Sequence, residues 1–447
     1  MPGVPPSPDD PICAVATPPG RGALAVVRLS GRGALAIAGR VTRKELIPRK
    51  AVLTGFRDGN GERIDQGLAL YFQAPASFTG EDLVEFHCHG NPVVCGMLMD
   101  ALCAQGARRA EPGEFSLRAF LNNKLDLAQA EAIADLISST TEQCVRTAGR
   151  SLQGAFSRRV KEVLEGLVGV RTGVEACLDF PDEDSGALPG KALHGPLSAL
   201  DGDLDELLEQ ARSGERLHAG ATVAIVGAPN VGKSSLINAL AQSEIAIVTA
   251  VPGTTRDPVV ADIEVHGLPV RLVDTAGLRT TGDEVEQLGI ERTRRILAEA
   301  DLVLWLDDLS QPDSAGLAPE GVEASRVIRV HNKTDLVTRH AGAGRQEVYL
   351  SVKTGSGMEA LVERIRERVL GREQGSTPFL ARARHLDALQ RTQAHVRSAL
   401  QCLHRGRDLE LAGEDLRLAQ QALGEITGEF SSDDLLGSIF SEFCIGK

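Results

Sequence analysis

Gly227-Ala228-Pro229-Asn230-Val231-Gly232-Lys233-Ser234 is the stretch on which the reading of this chain turns. It fits the pattern G-x-x-x-x-G-K-[ST]. The apolar run Thr222–Val226 ends directly before it, and Ser235–Ala241 has helical spacing directly after it. Strand, glycine-rich turn and helix in that order make a phosphate cradle. Gly227 and Gly232 let backbone N–H groups turn inward around phosphate oxygens. Lys233 brings a cation to the β and γ phosphates and Ser234 a hydroxyl to Mg²⁺, while the helix N-terminus adds partial positive charge. The expected contacts run from Asn230 and Val231 through Gly232, Lys233 and Ser234 to Ser235. The competing reading is a glycine-rich turn with a chance Lys-Ser, and the residues downstream decide between the two.

Further elements follow at strand ends. Asp274-Thr275-Ala276-Gly277 closes the run Val270–Val273, where Asp274 can reach Mg²⁺ through water and the Gly277 N–H can meet a γ-phosphate. Asn332-Lys333-Thr334-Asp335 follows the run Val327–Val330. The Asp335 carboxylate suits the paired N1–H and N2 amine of guanine, and Asn332 and Lys333 brace the loop. Ser351-Val352-Lys353 follows Val348–Leu350 and should close over the base. An Asp at a strand end is most often a turn residue. Four such elements in order, each at the carboxyl end of a strand where α/β sheets bind ligands, leave little room for chance. The asparagine–lysine–x–aspartate element selects GTP over ATP.

Outward from this site the texture changes. Residues 216–372 alternate short apolar runs, including Leu302–Leu306, with helix-length segments, which implies βαβ units and a mostly parallel sheet. Residues 120–215 and 373–447 read as helix. Asp126-Leu127-Ala128-Gln129 has the form of a capping box. Helices are expected over Ala155–Leu178, Leu197–Ser213, His385–Arg405 and Leu409–Thr427. Residues 1–119 are rich in Gly and Pro, with strands expected at Leu24–Leu29, Gly67–Phe72 and Leu83–His87 and a helix at Pro92–Gln105. The fold class expected is multidomain: an α+β N-terminal domain, and an all-α domain into which an α/β domain is inserted.

The 447 residues include 48 basic and 61 acidic side chains, a net charge of −13. Non-specific coating of nucleic acid needs clustered Lys and Arg, so composition argues against it. The acidity is local. The helical parts carry 17 basic against 28 acidic residues, whereas residues 1–119 carry 13 against 12. Eight cysteines include no C-x-x-C pair, which points to reduced thiols. Met1–Pro6 lacks the basic and apolar regions of a signal peptide, and no run of 18 apolar residues exists, so a cytoplasmic protein without a membrane span is expected. His87-Cys88-His89 with Cys95 invites a metal reading. Strand alternation, however, points His87 and His89 one way and Cys88 the other.

Gly253-Thr254-Thr255-Arg256-Asp257, together with the site above, resembles the switch I sequence of the TrmE–Era–EngA group, so the α/β domain resembles a translation-factor-related, Ras-like GTPase. Thr255 would then be the second Mg²⁺ hydroxyl beside Ser234. Leu278 stands where Ras-like GTPases carry the glutamine that positions water. The group resembled uses K⁺ in place of an arginine finger. Asn230, Thr249, Val251 and Thr254 match its K⁺ ligands, with Thr249 and Thr254 also on the nucleotide. Glu286 matches its water-orienting catalytic glutamate; read from the residues alone it is a solvated helix-face carboxylate. Val352 stands where the group usually has Ala.

The flanks extend the resemblance. Thr17–Gly22, Ser77–Asp82, Glu111–Phe115, Ala119–Ala132 and Phe443-Cys444-Ile445-Gly446-Lys447 resemble the MnmE (TrmE) family of tRNA modification GTPases over essentially the whole chain. The resemblance implies a tetrahydrofolate-binding and dimerisation domain at 1–119, a helical domain at 120–215 and 373–447, and a GTPase domain at 216–372. It implies a homodimer and an FAD-dependent partner, MnmG. The pair adds a (carboxymethyl)aminomethyl group to C5 of the wobble uridine (U34) of certain tRNAs, with a one-carbon unit from 5-formyl- or methylene-tetrahydrofolate. The family's folate contacts fall on Arg28, Glu85, Lys124 and Lys447, each of which is a surface charge when read alone. Cys444 is a candidate for the modification chemistry, or an inert thiol. The tRNA is expected mainly on the partner. A ribosome-assembly factor of the Era or EngA kind would need a KH domain or a second GTPase domain, and the sequence shows neither. A GTP-binding scaffold without turnover is the third reading, kept open by Leu278.

Overall fold

The computed structural model describes residues 10–179, 191–242, 260–274, 295–311, 322–337, 341–344, 347–370, 379–405, 408–430, 433–441, 443 and 445–446. Strands β1 (Ile12–Val15) and β2 (Gly22–Ser30) come first. Helix α1 (Ala34–Thr42), strands β3 (Val52–Arg57), β4 (Arg63–Phe72) and β5 (Leu83–Gly90), helix α2 (Pro92–Ala104), strand β6 (Arg108–Arg109) and helix α3 (Glu114–Leu121) follow. Helices α4 (Leu127–Ser138), α5 (Glu142–Leu152), α6 (Ala155–Asp179) and α7 (Lys191–Ala219) lead into strand β7 (Ala221–Gly227) and helix α8 (Lys233–Gln242). Then come β8 (Val260–Val265), β9 (Leu268–Asp274), β10 (Leu302–Asp308), β11 (Val327–Asn332), β12 (Gly342–Ala343) and β13 (Glu347–Tyr349). Helices α9 (Met358–Leu370), α10 (Ala383–Arg405), α11 (Leu409–Thr427) and α12 (Asp433–Ser441) complete the order. Among the described residues no helix is long and apolar enough to cross a membrane.

The chain divides into two compact units, residues 1–134 with 421–447, and residues 135–420. In the first, six strands pair in the order β3-β4-β5-β2-β1-β6. Alternation along the strands sends Val27, Leu29, Val84, Phe86 and Cys88 into a core closed by α1 and α2. Phe56 and Phe86 meet edge to face at 5.6 Å within it. The opposite face carries Leu24, Leu53 and Leu68, all exposed, with Leu53, Leu68, His87 and Val26 aligned across four strands. The last helix, α12, packs in this unit. Its Ile439 and Phe440 and the following Phe443 join Leu127, Leu117 and Phe120 in one cluster. Gly113 makes that approach possible, because a Cβ there would lie 2.4 Å from the Phe440 carbonyl oxygen.

Capping fixes the start of α4. The Gln129 N–H donates to Asp126 Oδ1 at 2.8 Å and the Asp126 N–H to Gln129 Oε1 at 3.1 Å. In the second unit, α7 pairs with α6 and α10. Helix α7 outruns the expected Leu197–Ser213 at both ends and continues to Ala219, because Leu217 is fully buried in the sheet's core. The seven-stranded sheet runs β12-β13-β11-β10-β7-β9-β8, with only the β8–β9 and β12–β13 pairs antiparallel. Strand β8 was not legible in the sequence. Its turn with β9 is clipped to the N-terminus of α5, where Thr141 Oγ1 donates to the Gly267 carbonyl at 2.8 Å and accepts from the Cys144 N–H. The point of insertion is braced as well. Arg216 donates to the Val369 carbonyl at 2.8 Å, and Arg382 meets Asp135 at 2.6 Å. The fold is thus multidomain, with an α+β N-terminal domain, helices, and an inserted α/β domain of the Ras-like kind.

Candidate functional site

Strand β7 lies between β10 and β9, and its carboxyl end opens into the turn 227–232. Crowding demands glycine at both ends of that turn. Gly227 has φ 158°, and a Cβ there would lie 2.4 Å from the Leu306 carbonyl; Gly232 has φ 104°, and a Cβ would lie 2.4 Å from Asn332 Nδ2. Asn230 is exposed in the left-handed region at φ 64°, while Val231 is buried and ties the turn to the core. Lys233 is only 7% exposed, and its Nζ donates to the Gly227 carbonyl at 2.9 Å and the Ala228 carbonyl at 2.7 Å. The ammonium is therefore held over the cradle. Ser234 and Ser235 are exposed at the start of α8, and Ser234 Oγ lies 3.4 Å from Asp274 Oδ2 at the end of β9. A hydroxyl and a carboxylate facing one another are hard oxygen donors that fit Mg²⁺.

Asn332 ends β11 and is 3% exposed. Its Nδ2 donates to the Val231 carbonyl at 2.8 Å, and its Oδ1 accepts from the Lys333 N–H at 2.8 Å and the Val352 N–H at 3.1 Å. One carboxamide thus joins the phosphate turn to both base-side loops. Thr334 is buried and its N–H donates to the Leu350 carbonyl. Asp335 is exposed, with Oδ1 accepting from Ser351 Oγ at 2.6 Å. Ser351, in the loop expected to close over the base, is buried and its hydroxyl props the Asp335 carboxylate; Lys353 is the exposed member of that loop. Asp308 escaped the sequence reading, which ended its strand at Leu306. Its Oδ2 receives Lys333 Nζ at 2.6 Å, and its Oδ1 receives the Ser310 N–H and Oγ. The available signal was Asp307-Asp308 at the carboxyl end of a strand beside the phosphate strand. Thr249, Val251, Thr254, Thr255, Thr275, Ala276, Gly277, Glu286, Cys444 and Lys447 lie outside the described residues.

In the N-terminal unit the register of β2 and β5 sets Arg28 opposite Glu85. Arg28 Nε and Glu85 Oε1 are 3.0 Å apart, His87 Nε2 lies 3.4 Å from Glu85 Oε2, and the Arg28 guanidinium stands 5.6 Å from the Phe78 ring centre. Lys124 Nζ donates to the Pro75 carbonyl at 3.1 Å, and its stem lies beside Gly80. Arg28 and Lys124 therefore both reach the loop 75–80. The C-terminal tail belongs to the same unit. Ile445 bridges to Pro112, and Gly446 sits so close to the Val15 carbonyl that a Cβ would be 2.4 Å from it. His89 Nδ1 is engaged by Asp65 Oδ1 at 2.8 Å, and burial pushes the Cys88 thiol up to about 12. The seven described cysteines are all reduced.

Two family descriptions match this chain: "GTP-binding protein TrmE N-terminus" over residues 11–124 and "MnmE helical domain" over residues 127–444. Among curated relatives, the tRNA modification GTPase MnmE of Nitrosospira multiformis is 48% identical over 98% of this chain and 99% of that protein. The protein of the same name from Neisseria meningitidis serogroup C is 49% identical over 98% of each chain. The solved G domain of the T. maritima FeoB iron transporter is 27% identical over 33% of this chain and 98% of that chain, with a TM-score of 0.26. The assignment rests on the sequence relatives and not on that structure.

Proposed function

This chain belongs to the MnmE family of tRNA modification GTPases, and on that premise we propose that it hydrolyses GTP at the carboxyl ends of β7, β9, β11 and β13 in the service of wobble-uridine modification. The observation that carries the reading is the shared bracing of phosphate and base elements by Asn332, in a chain alike to these GTPases from end to end. Gly232, Lys233 and the start of α8 would hold the β and γ phosphates. Ser234, Thr255 and, through water, Asp274 would hold Mg²⁺, which neutralises phosphate charge. Asn230, Thr249, Val251 and Thr254 would hold K⁺, the positive charge otherwise given by an arginine finger; the exposed Asn230 side chain offers the oxygen such an ion needs. Glu286 would orient water in place of the glutamine absent at Leu278. Asp335 would read guanine.

The N-terminal residues support a folate reading through their chemistry. Glu85 offers acceptors to a pterin's donor edge, and Arg28 and Lys124 offer cations to a glutamate tail. The described tail residues Ile445 and Gly446 belong to that same unit, which favours a place for Cys444 and Lys447 near the folate. The exposed apolar residues Leu24, Leu53 and Leu68 on one face support homodimerisation through this sheet. Division into 1–119, 120–215, 216–372 and 373–447, a cytoplasmic site of action, the FAD-dependent partner MnmG and tRNA held mainly by that partner complete the proposal. Two measurements test it. GTP turnover should rise markedly in K⁺ over Na⁺, and equal rates would remove the K⁺ assignment. Deletion of the gene should erase the modified wobble uridine in tRNA mass spectra. Complementation lacking Phe443–Lys447 should leave it erased while GTP turnover survives.

A further inference from the structure

In the guanine loop, Lys333 has its charged end tied to a carboxylate outside that loop. Its backbone is in the left-handed region at φ 66°, between the buried Asn332 and Thr334. Its ammonium reaches across to the next strand, where Asp308 Oδ2 receives it at 2.6 Å. Asp308 is itself 5% exposed and cannot swing away, because its Oδ1 is held by the Ser310 N–H at 2.9 Å and Ser310 Oγ at 2.6 Å. The strands register Asp308 against Asn332, so the anchor and the loop it serves are fixed by one ladder. Burial alone would raise the Asp308 carboxyl, yet the hydrogen bonds from Lys333 and Ser310 hold it below the usual range, so it stays charged.

We propose that Asp308 is a positioning residue for guanine recognition: it pins the ammonium of Lys333 so that the lysine stem forms a fixed apolar wall beside the base that Asp335 reads. A lysine side chain free in solution samples many rotamers, and fixing one costs up to about 2 kcal/mol. Paid on folding, that cost is removed from nucleotide binding, which is pre-organisation. The inference rests on the guanine-binding reading of Asp335.

The test uses the full-length protein with fluorescent GDP and with GTP. Wild type must bind guanine nucleotide in preference to adenine nucleotide; if it does not, the guanine reading itself fails. Given that it does, Asp308→Asn should weaken GDP binding and raise the GTP KM by about tenfold, with kcat near wild type. Lys333→Met should have a similar effect, and the double variant should be no worse than either alone, because both remove one interaction. Additive losses, an unchanged KM, or a fall in kcat without one in affinity would overturn the proposal. If Asp308→Asn does not fold, Ser310→Ala tests the same anchor. It leaves the carboxylate in place but loose, and should weaken GDP binding about two- to threefold, again without effect in a Lys333→Met background.

Discussion

The guanine end of the inserted domain and the outer face of the N-terminal sheet both gather charged side chains, but they are held in different ways. At the guanine end each group is held by a support outside its own loop: Asp308 for Lys333, the Val231 carbonyl for Asn332 and the Ser351 hydroxyl for Asp335. On the N-terminal sheet the two central groups, Arg28 and Glu85, support each other. The first is organised before its ligand arrives. The second must share or break an ion pair to take one. That difference teaches where binding energy should be concentrated. It should be steep and unforgiving in the inserted domain, and shallow in the N-terminal one.

The largest expected effect is at Lys233. Its ammonium is buried over the cradle, so on the proposed reading Lys233→Ala would remove a charge aimed at transferring phosphate oxygens. GTP turnover should fall by on the order of 10³-fold, as for other pre-organised electrostatic groups. Binding of 5-formyl-tetrahydrofolate, followed by calorimetry, should stay within about twofold. A parallel loss of both would mean that the two regions are not energetically separate.

Asp335→Asn should come next. On the proposed reading the carboxylate would accept from two guanine N–H groups, and a hydrogen bond to a charged group contributes about 1.5–3 kcal/mol, so GTP affinity should fall by roughly 10²-fold. An asparagine presents a donor, which suits the O2 carbonyl of xanthine, so competition assays should show XTP gaining on GTP. Retention of guanine preference would show that Ser351 does not aim this side chain at the base.

Arg28→Ala probes the other side of the comparison. Because Arg28 is already neutralised by Glu85 and partly solvated, folate affinity should fall only about tenfold, with GTP turnover unchanged. A loss approaching that at Lys233 would refute the contrast and make the N-terminal site as pre-organised as the guanine end.

How far each region was legible in the sequence follows the same division. Gly227 and Gly232 announce themselves by their spacing before Lys233-Ser234, and the Leu306 carbonyl and the buried Asn332 side chain leave no room for a Cβ at either, while Asp274, Asn332 and Asp335 sit at strand ends that periodicity marks. Asp308 was missed because its role depends on register between β10 and β11, and a single strand does not reveal which residue of its neighbour it faces. Strand β8 was missed because Ala261, Asp262 and Glu264 weaken its apolar signal, and its pairing with β9 supplies what the sequence lacks. On the N-terminal sheet, nothing in the spacing of Arg28, Glu85 and Lys124 marks them as ligands, and only resemblance picked them out. The place of α12 was hidden for a third reason. Its apolar face matches Leu117 and Phe120, more than three hundred residues away in sequence, and no local pattern encodes a partner that distant.

The smallest expected effect tests whether the N-terminal unit holds pre-organised charge at all. It does, in helix α3. Glu114 accepts from Arg108 at 2.5 and 2.8 Å, from Arg118 at 3.1 Å and from the Glu111 N–H at 3.0 Å. Burial alone would raise its carboxyl, but these donors hold it below the usual value of 4.5. A carboxyl lowered on folding stabilises the folded state above its unfolded value, and that contribution fades as pH falls through the folded value. Thermal melts should therefore show the N-terminal unit losing stability below about pH 4.5, and Glu114→Gln should flatten that acid limb. The change should be roughly 2–4 °C in the difference between pH 7 and pH 4, a linkage effect of about 1 kcal/mol. An acid limb of unchanged depth in Glu114→Gln would assign it to other carboxylates. A flattened limb with unaltered folate binding would place the rigid charge of this unit in its frame, leaving Arg28 and Glu85 as the adaptable pair.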